Sequence, residues 1–96
     1  MTDTKKTSIT QEDIDTLLKE AEVGVATVHE KCTMVSVKLK NGFIITESSA
    51  CVDVKNYSVE TGFDICMERI ANKLWELEGY ALQKKLYEEE QACLSS

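Results

Sequence analysis

The dipeptide Asn41-Gly42, set between two apolar runs, constrains this chain more than any other pair of its residues. Before it, Val35, Val37 and Leu39 alternate with Ser36, Lys38 and Lys40; after it come Phe43, Ile44, Ile45 and Thr46. A period of two belongs to a half-buried strand, whose successive side chains point to opposite faces. Asn and Gly tolerate the positive φ that a type I′ turn needs at both central positions, so the two runs are predicted to pair as a β-hairpin. Upstream, Val23 and Val25 alternate with small residues, and His29 lies in the same strand-like stretch. Together these segments predict an antiparallel meander of three strands or more, the return strand ending near Ala50 or Val52.

Flanking the sheet, the apolar period becomes helical. Thr10-Gln11-Glu12-Asp13 reads as a capping box with Asp13 in place of Glu, and Ile14, Leu17, Leu18 and Ala21 follow at i, i+3, i+4 and i+7. This predicts a short amphipathic helix over 10–22, whose apolar face must pack on the sheet or on a neighbouring subunit. Phe63, Cys66, Ile70, Leu74 and Leu77 mark a longer helix over about 60–78, capped by Ser58 or Thr61. Gly79 reads as a stop, with a bend before a second segment built on Tyr80, Leu82, Leu86 and Tyr87. One unbroken helix is the alternative, because an interior Gly costs only ~1 kcal/mol. The fold class is therefore α+β: a small antiparallel sheet followed by two helices, with a short N-terminal helix, and the helices packed on one face. The expected domain spans 10–92, between a disordered N-terminus at 1–9 and a frayed C-terminus at 93–96.

Composition narrows the function. With 11 basic against 17 acidic residues the net charge is −6, which lacks the positive footprint of a DNA-binding protein. No apolar run approaches the ~18–20 residues that span a bilayer, and no export signal is visible, so neither a membrane nor an oxidising compartment is expected. Cys32, Cys51, Cys66 and Cys93 show no paired C-x-x-C spacing, and His29 is the only histidine. They read as reduced thiols rather than metal ligands, and no cofactor is expected. No nucleophile elbow, metalloprotease helix or phosphate-binding Gly-rich loop is present, so no catalytic residue is assigned and the chain is not read as an enzyme. Trp75 lies off the core stripe, and a chain of this size buries only roughly 60–65% of its unfolded surface. Both favour self-association.

Two features suit a ligand. Arg69, the only arginine, stands one helical turn before Lys73, and two cations at that spacing suit a phosphate or pyrophosphate. Arg69 is expected to contribute more, as the bidentate donor. The same pair equally suits a solvated helix face beside Glu68, Asn72 and Glu76. Phe43, just after the turn, and Tyr57, between sheet and helix, could each stack on a base or pack on the protein's own sheet.

The stretch Asn41-Gly42-Phe43, then Glu47 to Asp53, then Asn56-Tyr57, followed by Lys73-Leu74-Trp75-Glu76-Leu77-Glu78-Gly79-Tyr80, resembles a family of small proteins from tailed phages and prophages. That family is labelled by the gene 49 and gene 66 products of its founding phages, and the resemblance extends to proteins like Thoeris anti-defence 1. It implies a sponge in the host bacterial cytoplasm. Such a protein binds and sequesters a cyclic nucleotide immune signal, a cyclic ADP-ribose isomer or a cyclic oligonucleotide, without cleaving it. It implies a homo-oligomer, dimer or hexamer, with pockets at protomer junctions. It also implies that Phe43 supplies the aromatic and that Arg69 and Lys73 supply the cations, with Lys73 where an Arg is expected. Asn56, Asn72 and Ser48 are implied as ribose or base partners. The rival reading is a small acidic phage protein that inhibits a host protein by direct contact, for which the Glu88–Glu90 run matters more than Arg69.

Overall fold

The computed structural model describes residues 6–94, so the disorder expected at 1–5 and the fraying expected at 95 and 96 lie outside the described residues. The order is α1 (Gln11–Lys19), β1 (Glu22–Val28), β2 (Cys32–Lys38), β3 (Ile44–Ala50), a single 3₁₀ turn (Val54–Asn56) and α2 (Val59–Leu94). The strands form one antiparallel sheet in the order β1-β2-β3. This is the α+β meander with an Asn-Gly hairpin that the periodicities predict, with one helix after the sheet in place of two.

Each turn departs from its expectation for a local reason. At the second hairpin Lys38 pairs with Ile44, and Leu39 N–H donates to Phe43 O at 2.8 Å, which leaves the loop Lys40-Asn41-Gly42. Gly42 alone takes positive φ (96°), while the Asn41 carboxamide accepts the Phe43 N–H at 3.0 Å. The connection is thus a three-residue loop with glycine in the left-handed position, not a type I′ turn. At the first hairpin the positive φ falls on His29 (55°) and Glu30 (64°), so His29 sits at the tip of a turn and not in a strand. Neither residue advertises a turn in the sequence, and non-glycine residues enter this region at a cost of order 1–2 kcal/mol.

Thr10 caps α1 as its spacing predicts: its hydroxyl accepts the Asp13 N–H, and the Asp13 carboxylate accepts the Thr10 N–H. Lys6 holds the same carboxylate at 2.7 Å, and this bond with the backbone donor sets the Asp13 pKa below the ordinary aspartate value. Ser58 accepts the Thr61 N–H at 3.3 Å and opens α2. From there α2 runs 36 residues straight through Gly79, and the predicted bend is absent. Gly79 has no positive φ, and the good helix formers around it outweigh its propensity cost of about 1 kcal/mol. Among the described residues no helix is long and apolar enough to cross a membrane.

The core lies between one face of the sheet and the first half of α2. Val35, Val37, Leu39 and Ile45 meet Cys66, Ile70 and Leu74, and Ile14 of α1 closes one end with no exposed surface. The apolar face of α1 therefore packs on its own domain and is not left for a neighbour. α2 crosses β2 and β3, leaving Val23 and Val25 of β1 43% and 47% exposed. Gly62 permits the closest approach of helix to sheet, since a Cβ there would stand 2.2 Å from Thr33 Oγ1. The molecule is elongated, 63 × 26 × 20 Å, with a radius of gyration of 18.0 Å against about 12–13 Å for a compact chain of this length.

Candidate functional site

Between the outer edge of β3 and the middle of α2 runs a groove of about 410 Å³, lined by Phe43, Ile44, Ile45, Thr46, Lys73, Glu76 and Leu77. The hairpin loop delivers Phe43 to its rim, where the ring stays 51% exposed. Ile45 and Glu47 alternate toward α2 along β3, and the helical period returns Lys73, Glu76 and Leu77 to the same side of α2. Lys73 Nζ lies 2.6 Å from Glu47 Oε2, a carboxylate largely withdrawn from solvent. One turn earlier, Arg69 Nη1 donates to the carbonyl of Ser48 at 2.8 Å. Both cations thus fasten α2 to the open edge of β3. The Arg69 guanidinium commits one nitrogen to that bond, and its remaining N–H groups are the donors a ligand could use.

The residues singled out in the sequence fall into three places. Phe43 and Lys73 share the groove, and Arg69 flanks it without lining it. Asn72 is exposed on α2, outside the groove lining. Ser48 reaches Arg69 through its backbone only; its side chain follows Ile44 and Thr46 onto the sheet face opposite α2. Asn56 borders a separate depression of about 120 Å³ at the start of α2, with Cys51, Tyr57, Ser58 and Thr61. Tyr57 lies outside the groove, and its hydroxyl bridges Thr33 Oγ1 at 2.7 Å and Thr27 Oγ1 at 2.8 Å.

Sequence reasoning missed Glu76 as a member of the groove and Glu47 as the carboxylate that holds its ammonium. Glu47 was accessible to it, because period two places this carboxylate on the same face as Ile45, opposite the cationic side of the helix. The chemistry that results is mixed: an aromatic ring, an apolar floor, one ammonium and one carboxylate line the cleft, and Glu47 pairs with the ammonium from beside it. A base can stack on the ring, hydroxyls can donate to the Glu76 carboxylate, and an anionic group can take the ammonium. Elsewhere, burial pushes the Cys66 thiol up from its ordinary pKa, and its Sγ points at Thr33 O at 3.8 Å. Among the described residues no group of His, Cys, Asp or Glu is placed to hold a metal ion.

Residues 9–86 match the model of the Phage protein (N4 Gp49/phage Sf6 gene 66) family. The chain belongs to this family. The matched stretch takes in α1, the whole sheet and α2 as far as Leu86, so every residue of the groove lies inside it. No curated protein and no solved structure shows significant similarity to the chain.

Proposed function

We propose that this phage protein is a non-catalytic sponge: a homo-oligomer of the host cytoplasm that captures a cyclic nucleotide-derived signal in the groove between β3 and α2. The ligand class, cyclic ADP-ribose isomers and cyclic oligonucleotides, is that implied by the resemblance. The observation that carries the reading is the meeting of Phe43 and Lys73 on one groove. Glu76 adds an acceptor of the kind that takes ribose hydroxyls in other nucleotide sites. Lys73 must be shared between its Glu47 partner and the ligand's phosphate.

Calorimetry of the folded protein with cyclic ADP-ribose isomers and cyclic dinucleotides tests this. Phe43→Ala is expected to weaken binding by ~1–3 kcal/mol, the worth of a stacked base. Lys73→Ala is expected to cost ~1.5–3 kcal/mol, roughly 10- to 150-fold in Kd, and more than Arg69→Ala, reversing the order expected from donor type alone. Ligand recovered after heat denaturation should be intact. A folded protein that binds none of these molecules sinks the reading, and a cleaved product sinks its non-catalytic part. The rival, direct inhibition of a host protein, is favoured by a different feature: α2 carries Tyr80 and Tyr87, 69% and 59% exposed, past the last buried helix residue, Leu74. Under that reading nucleotides give no heat, and the protein stays active when Phe43 is removed.

A further inference from the structure

We propose that the outer edge of β1 is a dimerisation surface for a second copy of this chain, strand pairing antiparallel with strand about a two-fold axis through Val25. This deepens the self-association in the proposed function and is independent of the ligand.

The phase of the backbone hydrogen bonds is set by two of them. Leu39 N–H donates to Phe43 O, and Cys51 N–H donates to Lys31 O. With the β2–β3 register they make Val37–Ile45, Val35–Glu47 and Thr33–Ser49 the bonded pairs. Met34, Ser36 and Lys38 then turn their backbone groups the other way, toward Ala26, Gly24 and Glu22 of β1. What remains is that Val23, Val25 and Thr27 each present one N–H and one C=O outward from the sheet. The opposite edge bears out the phase, because the Ser48 carbonyl does point outward there and is taken by Arg69.

The two edges are treated differently. β3 is guarded by Arg69 and by the Lys73–Glu47 pair. β1 has no such guard: Glu22 to Thr27 are all exposed, Glu22 is the one charge in the strand, there is no proline, and its register with β2 runs without a bulge. Edge strands that are not meant to pair carry such guards.

A second copy fits this edge because the strand is complementary to itself. Centred on Val25, Val23 meets Thr27, Gly24 meets Ala26 and Glu22 meets Val28, so every outward donor finds an acceptor and no like charges oppose. The outward-bonding residues are also those whose side chains share the face of Val35 and Val37. The half-exposed valines of the two copies would therefore abut, extending each core across the axis as paired β-branched side chains.

The test begins with the wild-type chain. Light scattering at tens of micromolar should give twice the 10.8 kDa chain mass. Hydrogen exchange should show the amides of Val23, Val25 and Thr27 protected, with protection lost on dilution to monomer. Val25→Lys and Val25→Glu each oppose two like charges at the axis and should weaken the dimer at least tenfold, and mixing the two should restore it. A monomeric wild type overturns the proposal. So does a dimer whose three amides exchange freely, or one that both substitutions leave intact, which would move the contact elsewhere. Should the substituted chains fail to fold, the wild-type exchange pattern still decides. Ligand binding by a monomer would refute this edge and the homo-oligomer while leaving capture of the signal standing.

Discussion

Thr33 is fully buried and polar, and its hydroxyl is satisfied by the Tyr57 hydroxyl at 2.7 Å. Tyr57→Phe removes that partner and strands a buried hydroxyl, so chemical denaturation should show a loss of ~1–3 kcal/mol. The two helical glycines make a sharper pair. Gly62→Ala drives a methyl group into Thr33, with 2.7 Å to its Cβ as well as 2.2 Å to its Oγ1, and should destabilise by ~1–3 kcal/mol. Gly79→Ala meets nothing within 4 Å and should stabilise by ~0.5–1 kcal/mol. Opposite signs for the same substitution, read from urea midpoints, check both placements at once. None of this was legible in the sequence: Gly62 has no turn signal, and Tyr57 reads as any aromatic, because a close approach is a property of two segments and not of either one. The groove was half legible for the same reason. Phe43 and Lys73 were found by residue type, whereas Asn72, Asn56 and Ser48 depend on which way each backbone faces.

The elements were legible wherever a local pattern decides them. The capping box of α1 follows from Thr10 and Asp13 alone, and the three strands follow from alternation. Thr10→Ala should cost ~0.5–2 kcal/mol in thermal or chemical unfolding. The pH dependence has a defined sign. Asp13 is held below its ordinary pKa by Lys6 and the Thr10 backbone, so its contribution is present above the usual aspartate range and lost as pH falls through the lowered value. In Asp13→Asn that part of the acid sensitivity should vanish. Where two local signals compete, the sequence was ambiguous. Gly79 carries a stop signal inside a run of good helix formers, and the run wins. At the first hairpin the register of a whole sheet imposes positive φ on His29 and Glu30, against their own preference.

At the scale of the molecule, stability is distributed unevenly along α2. Among the described residues its buried positions end at Leu74, yet the helix continues to Leu94. The stretch beyond Gly79, residues 80–94, is marginal in water by itself, since isolated helices up to ~12–15 residues barely hold. Native-state hydrogen exchange should therefore show amides of 63–77 protected to near the global unfolding free energy, and those beyond Gly79 opening at far lower cost. Uniform protection along the whole helix would mean that its second half is covered in solution. The radius of gyration of 18.0 Å, well above that of a compact chain, has the same origin and is directly visible to small-angle scattering.

The unbroken passage of α2 through Gly79 has a mechanical consequence. Lys73 sits on the groove, and the helix runs on from it as a stiff rod of about 30 Å, so a tilt of about 5° pivoting there swings the far end by about 3 Å. Whatever wedges between Phe43 and Leu77 acts on the short arm of a lever, and the long arm carries the exposed Tyr80 and Tyr87. A bend at Gly79 would have absorbed that motion locally. Its absence means that a tilt imposed at the cleft would be carried along the helix rather than taken up at Gly79.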